Sequence, residues 1–336
     1  MKHFIFLTPL FFLPALFLFT NAGDEDAIAK KKAADDYKTN YVATEISSPD
    51  QFGWTGKTNT CKAGKLSHDA YVKILARINY FRRLAGVDDH IVLDSQWCKL
   101  AQSAALIMYA NNTLNHDPDA SMKCFSEDGK LGASTSNLST IIENSIKEVI
   151  ADEIQDGSTS NNFCGHRRWL LNSEAYKMGI GATPGAYAVR VFMPYEESGK
   201  DTSSFHGKQP EYFGYPFHGY IPYQVVYPKW SFAITNGTPD YKSATVAVTA
   251  GDVPLACTIV NRDHFGYGDP TLVWTIKGLK EDFDYNYYDM SEKKTGFATM
   301  GLINKKITVK ISNVKVNGVA KNYSYSFTIF DPNEVN

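Results

Sequence analysis

No two cysteines in this chain are spaced Cys-x-x-Cys, which removes the zinc-finger and thioredoxin-type readings that such pairs carry. No Gly-x-Ser-x-Gly segment occurs, so the nucleophile elbow of the α/β-hydrolases is missing. An excess of either charge is also lacking. The 34 Lys and Arg face 36 Asp and Glu, for a formal net charge of −2. No broad basic surface can neutralise phosphates, and Lys30-Lys31-Lys32 is too short to supply one, so no nucleic-acid partner is expected. After the first 22 residues no apolar run is long enough to span a bilayer, so no integral membrane segment is expected.

What is present begins with an apolar run from Phe4 to Phe19, preceded by Lys2 and followed by Thr20, Asn21 and Ala22. This is the layout of a secretory signal peptide over residues 1–22, cleaved after Ala22. Its core of about 16 residues falls short of the roughly 20 that a membrane span needs. A secreted, extracellular protein is therefore expected, and disulfides are the default state of its cysteines. There are five, Cys61, Cys98, Cys124, Cys164 and Cys257, so one is left over. Cys124 follows His116 by eight positions and Cys164 precedes His166 by two. If the two histidines meet, Cys124–Cys164 and Cys61–Cys98 are the pairs and Cys257 is free, although four cysteines alone allow three pairings. Glycosylation sequons stand at Asn111, Asn137, Asn236 and Asn322.

The remaining length favours two domains. Residues 23–65 read as a polar, mobile N-terminal segment. Ser67 caps a helix carrying Tyr71, Ile74, Leu75 and Ile78, closed by Gly86, and Asp94 caps a second helix with Trp97, Leu100, Ala101, Ala104, Ala105 and Met108. A third helix is expected from the capping box at Thr140 to Glu143, with Ile142, Ile146, Val149 and Ile150 buried and Gly157 past its end. Strand-like alternation follows at Tyr187, Val189 and Val191. Residues 196–213 read as a linker. Residues 214–336 show no helical period, only short strand-like runs at 244–248, 271–276, 306–311 and 323–330, separated by turns such as Asn317-Gly318. That pattern predicts a β-sandwich.

Two histidine segments stand out: Leu114-Asn115-His116-Asp117-Pro118 and Gly165-His166-Arg167-Arg168-Trp169-Leu170-Leu171. Histidine is the usual ligand of borderline metals and the usual proton carrier near neutral pH. They fall in an ordered series: Ile78-Asn79-Tyr80-Phe81-Arg82, Ala85-Gly86-Val87, Leu93-Asp94, Ala101-Gln102-Ser103-Ala104-Ala105, His116, Ser136-Asn137-Leu138, the His166 segment, and Met178-Gly179-Ile180-Gly181-Ala182. This series, over residues 66–195, resembles the CAP superfamily of cysteine-rich secretory proteins, antigen 5 and plant pathogenesis-related 1 proteins. Residues 214–336, with Gly219-Tyr220-Ile221-Pro222, Lys229-Trp230-Ser231-Phe232, Leu272-Val273-Trp274 and Phe330-Asp331-Pro332, look like the sandwich that follows a subset of microbial and protist CAP domains. The resemblance implies an α+β chain: a three-layer α-β-α sandwich followed by an all-β, Ig-like sandwich.

It also implies a central cavity with two histidines and two acidic residues, in which the histidines bind zinc in some members. His116 and His166 fill the histidine positions. The family's Gly-Glu-Asn triplet corresponds to Thr135-Ser136-Asn137, so one glutamate is replaced by Ser136. The second acid is Asp152, Glu153 or Asp156, with Asp156 preferred as third ligand or general base. A catalytic zinc normally has three protein ligands plus water, with a carboxylate in reach of that water, so the lost glutamate counts against hydrolysis. Ser136 reads as a hydrogen-bonding filler beside Asn137, and Arg167, Arg168 and Trp169 as structural. The acidic run Glu281 to Asp289 lacks EF-hand spacing and reads as a solvated loop. The expected function is binding of a lipid, sterol, peptide or surface partner. A zinc-dependent, peptidase-like hydrolase using His116 and His166 is the competing reading, and a purely structural envelope component the third.

Overall fold

The computed structural model describes residues 22–141, 146–157, 161–192, 209–262, 266–280 and 290–335. The signal-peptide segment up to residue 21, most of the expected linker and the run 281–289 lie outside the described residues. The polar N-terminal segment opens as a helix, α1 (Ala22–Asn40), whose Tyr37 is buried, as is Tyr41 just after it. Tyr37 and Tyr41 stack at 5.2 Å and pack on Tyr80 and Phe81 of the next helix, so this segment is anchored where the sequence reads as mobile. Polar composition hid two tyrosines, Tyr37 and Tyr41, whose four-residue spacing puts them on one helical face.

Both expected helices form with their expected caps. In α2 (His68–Ala85) the Ser67 side chain accepts from Ala70 N–H and Gly86 ends the helix at φ 72°. In α3 (Ser95–Asn111) Asp94 accepts from Trp97 N–H. A four-stranded sheet runs in the order β1 (Val92–Leu93), β3 (Lys177–Thr183), β4 (Ala186–Arg190), β2 (Ser136–Thr140), with only the β1/β3 pair parallel. On β3 the period of two is plain. A Cβ on Gly179 or Gly181 would lie 2.3 Å or 2.2 Å from α3 backbone atoms, so helix and strand approach to a distance only glycine permits. Met178, Ile180 and Ala182 face the other way, into the core shared with Ile74 and Ile78 of α2. Helix α4 (Glu127–Ser134) lies against α3.

The third expected helix is a correction. Thr140 ends β2, paired with Ala186. A 3₁₀ turn spans Ile146–Glu148, and only Ala151–Gln155 is helical, as α5. Ile150 sits at φ 73°, a left-handed conformation that interrupts a helix. Its fully buried side chain repays the strain with core packing. Helix α6 (Gly165–Leu170) follows.

The disulfide pairing is the second correction. Cys61 bonds to Cys124, while Cys98, Cys164 and Cys257 are free. The bond joins the loop before α2 to the loop before α4. Cys98 is held on the sheet side of α3, its Sγ accepting from Ile180 N–H, and Cys164 is fully buried ahead of α6.

The C-terminal half is two facing sheets. One has the order β10 (Val253–Leu255), β9 (Thr245–Ala250), β13 (Lys306–Val316), β14 (Val319–Phe330), β6 (Gly219–Pro222), with β8 (Pro239–Asp240) also on β13. The other runs β11 (Cys257–Asn261), β12 (Thr271–Ile276), β7 (Lys229–Ile234), β5 (Tyr212–Tyr215). Trp230 of β7 meets Phe327 of β14 at 5.2 Å across the interface. The hairpin β13–β14 turns at Asn317 and Gly318, both with positive φ, as its sequence predicts. Two features go beyond an antiparallel sandwich: the β6/β14 pair is parallel, and a helix, α7 (Met290–Thr299), interrupts the strands. Among the described residues no helix is long and apolar enough to cross a membrane.

One hydrophobic cluster runs through both halves, from Ile78 and Ile180 to Trp230 and Phe327. Buried polar bonds follow the same boundary. Arg167 donates to Ile154 O, Gln155 O and Lys229 O, and its guanidinium lies 4.0 Å from the Tyr215 ring centroid. The Arg167 guanidinium thus braces carbonyls of both halves, in keeping with its structural reading. Asp269 accepts from both the N–H and the hydroxyl of Ser173 at 2.7 Å, and its carbonyl accepts from Arg168.

Candidate functional site

The short helices α5 and α6 face the edge strand β2, and together they build the His166 site. Asp156 caps α5 at φ 51°, a conformation aspartate tolerates better than most residues. That turn directs its carboxylate toward the start of α6. His166 Nδ1 lies 3.1 Å from Asp156 Oδ1, Asn161 Nδ2 donates to the same oxygen, and Arg167 N–H donates to Oδ2 at 3.2 Å. Three donors thus occupy the carboxylate. Asn137 of β2 bridges the rest, donating to Glu153 Oε2 at 2.8 Å and to His166 O at 3.0 Å. Asp152 accepts from the Tyr187 hydroxyl.

The electrostatics follow from burial. Burial drives the Glu153 carboxyl, 1 % exposed, up to about 8, against the lowering influence of His166 and Asn137. Asp152 is raised for the same reason. Burial alone would lower His166, but its bond to Asp156, with Glu153 and Asp152 beyond, outweighs that and raises it to about 9. At neutral pH the site therefore holds an imidazolium on Asp156 beside a protonated Glu153. Among the described residues the buried Oε1 of Glu153 has no hydrogen-bond partner, and neither has the hydroxyl oxygen of Ser136. The carboxyl with an open oxygen is Glu153 rather than Asp156.

The other predicted residues are placed as follows. His116 is exposed, and its Nδ1 lies 2.9 Å from Ala133 O near the end of α4. The two rings are thus anchored on different elements, His116 beside α4 and His166 on α6. Asn137 is 2 % exposed, so its sequon is shielded in the folded chain, whereas Asn236 and Asn322 are exposed. Among the described residues the one group of three potential metal-ligand atoms within 4.8 Å of one another is Asp88, Asp89 and His90, on the surface; neither His116 nor His166 belongs to such a group. A zinc ion at His166 would also have to displace the ring's tightly held proton. The donor set does not meet the three-ligand requirement of a catalytic zinc, and no hydrolytic step is derived from it.

Lys229, on β7, has a role at this site that the sequence did not reveal. Its ammonium, 3 % exposed, donates to Asp156 O, Gly157 O and Asn161 O at 2.7, 2.9 and 3.0 Å. The second half of the chain thus braces the loop that carries the His166 partner. Nothing local marks it, because its partners lie about 70 positions away.

A cleft of about 1210 Å³ is lined by residues of both halves. The first half contributes Trp169, Glu174, Lys177 and Phe192, and the second Tyr267 and Asp269. Trp169 touches Phe192 at 5.2 Å and Tyr267 at 6.4 Å between ring centroids. The Asp269–Ser173 bonds tie the two walls together at the cleft itself.

Residues 75–193 match the family model described as CAP, the cysteine-rich secretory protein family. No curated protein matches the chain.

Proposed function

Because residues 75–193 of this chain form a CAP domain of the cysteine-rich secretory protein family, we propose that it is an extracellular, non-enzymatic binding protein whose ligand is held in the cleft shared by the CAP domain and the β-sandwich. The observation that carries this reading is the cleft. It is preformed, ample for an organic ligand, and walled by partly exposed aromatic rings with a few polar groups, which is the usual make-up of a binding pocket. Secretion rests on the signal-peptide layout of residues 1–22 and on the Cys61–Cys124 bond, which suits an oxidising compartment. Lipids, sterols, peptides and surface partners are the ligand classes that the family resemblance brings into consideration.

Native mass spectrometry of protein recovered from the medium of its own source tests the proposal. A bound organic mass that is lost in Tyr267→Ala/Phe192→Ala is expected. A protein that carries no ligand, or whose ligand is indifferent to those substitutions, would contradict it.

One observation favours the hydrolase reading as second choice. Each histidine has Nδ1 on an oxygen acceptor, a carbonyl for His116 and a carboxylate for His166, which is how metal-bound imidazoles are usually oriented. Zinc titration of metal-stripped protein beside His116→Ala/His166→Ala decides it. Micromolar binding lost in the double variant would revive the hydrolase, and equal, weak binding by both would end it.

A further inference from the structure

From the polar groups and charges of the cleft, and resting on the reading of that cleft as the binding site, we infer that its ligand is a neutral oligosaccharide. Three features of the walls lead there. The first is the aromatic lining. Phe192 and Tyr267 are 39 % and 41 % exposed, which is unusual for rings of this size, and both touch Trp169. Such rings cover the apolar C–H faces of pyranoses. Trp169 meets Phe192 and Tyr267 edge to face, at 5.2 and 6.4 Å between centroids, so the rings present faces on different sides of the cleft rather than one flat platform.

The second is the polar lining. A cavity for a sterol or an acyl chain is closed and apolar, whereas this cleft interleaves its rings with amides, hydroxyls and carboxylates. Gln209 shows the mismatch with a lipid most clearly. Its Nε2 donates to Ser173 O, but its Oε1 is buried with no partner among the described residues. A buried acceptor left open costs about 1–3 kcal/mol, so a small shift of the Gln209 side chain that brings Oε1 to a sugar hydroxyl is favoured, whereas an acyl chain offers it no donor.

The third is charge. The lining carries Glu174, Glu211 and Asp269 against Lys177, which disfavours anionic ligands such as uronic or sulfated glycans and fatty acids. Organic cations are disfavoured for a different reason, since the protein's own cations already lie over the rings. Lys177 Nζ is 4.7 Å from the Trp97 centroid and 5.8 Å from Tyr176, and the Arg168 guanidinium is 5.8 Å from Tyr267. Two of the charges are internally matched, Lys177 with Asp94 at 3.7 Å and Glu211 with Lys321 at 2.9 Å. An uncharged, hydroxyl-rich ligand with apolar faces fits what remains.

Isothermal titration of full-length mature protein, produced without N-glycosylation so that Asn236 at the cleft rim is bare, tests this. The probes are chitohexaose, cellohexaose and mannohexaose, with a hyaluronan hexasaccharide and phosphorylcholine as charged comparators. At least one neutral hexasaccharide should bind, and Tyr267→Ala and Phe192→Ala should each weaken it by about tenfold with the unfolding midpoint unchanged. Both positions are exposed, so loss of folding does not mimic the result. Binding of only a charged comparator, binding unaffected by either substitution, or no binding of any neutral probe would overturn the inference. If the sugars fail while protein recovered from its source still carries a mass that Tyr267→Ala/Phe192→Ala removes, the ligand class is wrong and the cleft reading stands. If that mass is absent too, both fall.

Discussion

Glu153 is the residue whose behaviour departs furthest from its ordinary chemistry. Its carboxyl is buried, raised to about 8 and left with one open oxygen. A carboxyl whose folded pKa lies above its unfolded one holds its proton more tightly when folded. The stability it contributes is complete below the unfolded value and is lost as pH rises through the folded one, at about 1.4 kcal/mol per pH unit between the two. Glu153→Gln keeps the shape and the neutral state. It should therefore match the parent near pH 5 and exceed it in thermal stability above about pH 8, as read by melting curves at both pH values. A variant that loses stability equally at both would mean that Glu153 is ionised in the folded protein. Asp156 is preferred over Asp152 and Glu153 on the family resemblance alone, and its carboxylate lies 3.1 Å from the His166 ring. Which carboxyl keeps an open oxygen was not legible in the sequence, because that depends on the three donors that converge on Asp156 from Asn161, Arg167 and His166 itself.

Among the elements, local signals were read well and long-range ones poorly. Asp94 and Ser67 cap their helices by bonding amides three residues on, and Asn317-Gly318 turns its hairpin by backbone preference alone, so a short window of sequence suffices for each. The apolar run of residues 140–150 misleads a helical reading because the first part is taken up by pairing with β4 and Ile150 then breaks the period. Helix α7 has no clear apolar stripe; its buried Lys293 reaches Gln224 O, and Phe297 provides the contact with the core. Cysteine pairing was illegible for the same reason, since it is set by which loops the fold brings together. At this scale the brace from β7 is the feature to test. Lys229→Met leaves the Asp156, Gly157 and Asn161 carbonyls without their shared donor. It should cost about 3 kcal/mol, with faster hydrogen exchange across residues 156–166, while Lys229→Arg should recover part of the loss. Exchange unchanged in Lys229→Met would show that the loop does not depend on the sandwich.

At the scale of the molecule, CAP domain and sandwich share one apolar cluster and the buried polar bonds of Arg167, Lys229 and Asp269. They should unfold together. Far-ultraviolet circular dichroism, and tryptophan fluorescence from the sandwich's fully buried Trp230 and Trp274 and the CAP domain's Trp97, should report a single coincident transition, and two separated transitions would contradict a common core. Asp269, Glu153 and His166 are raised to about 6, about 8 and about 9. All three lose their stabilising contribution as pH rises, so the melting temperature should fall from about pH 5 to about pH 9. On the proposed reading the shared cleft, and not the histidine site, holds the ligand. Native mass spectrometry of source-derived Tyr267→Ala/Phe192→Ala and His116→Ala/His166→Ala, side by side, tests it most directly. The ligand mass should vanish from the cleft variant and persist in the histidine variant. The reverse pattern would place binding at His166 and contradict the account.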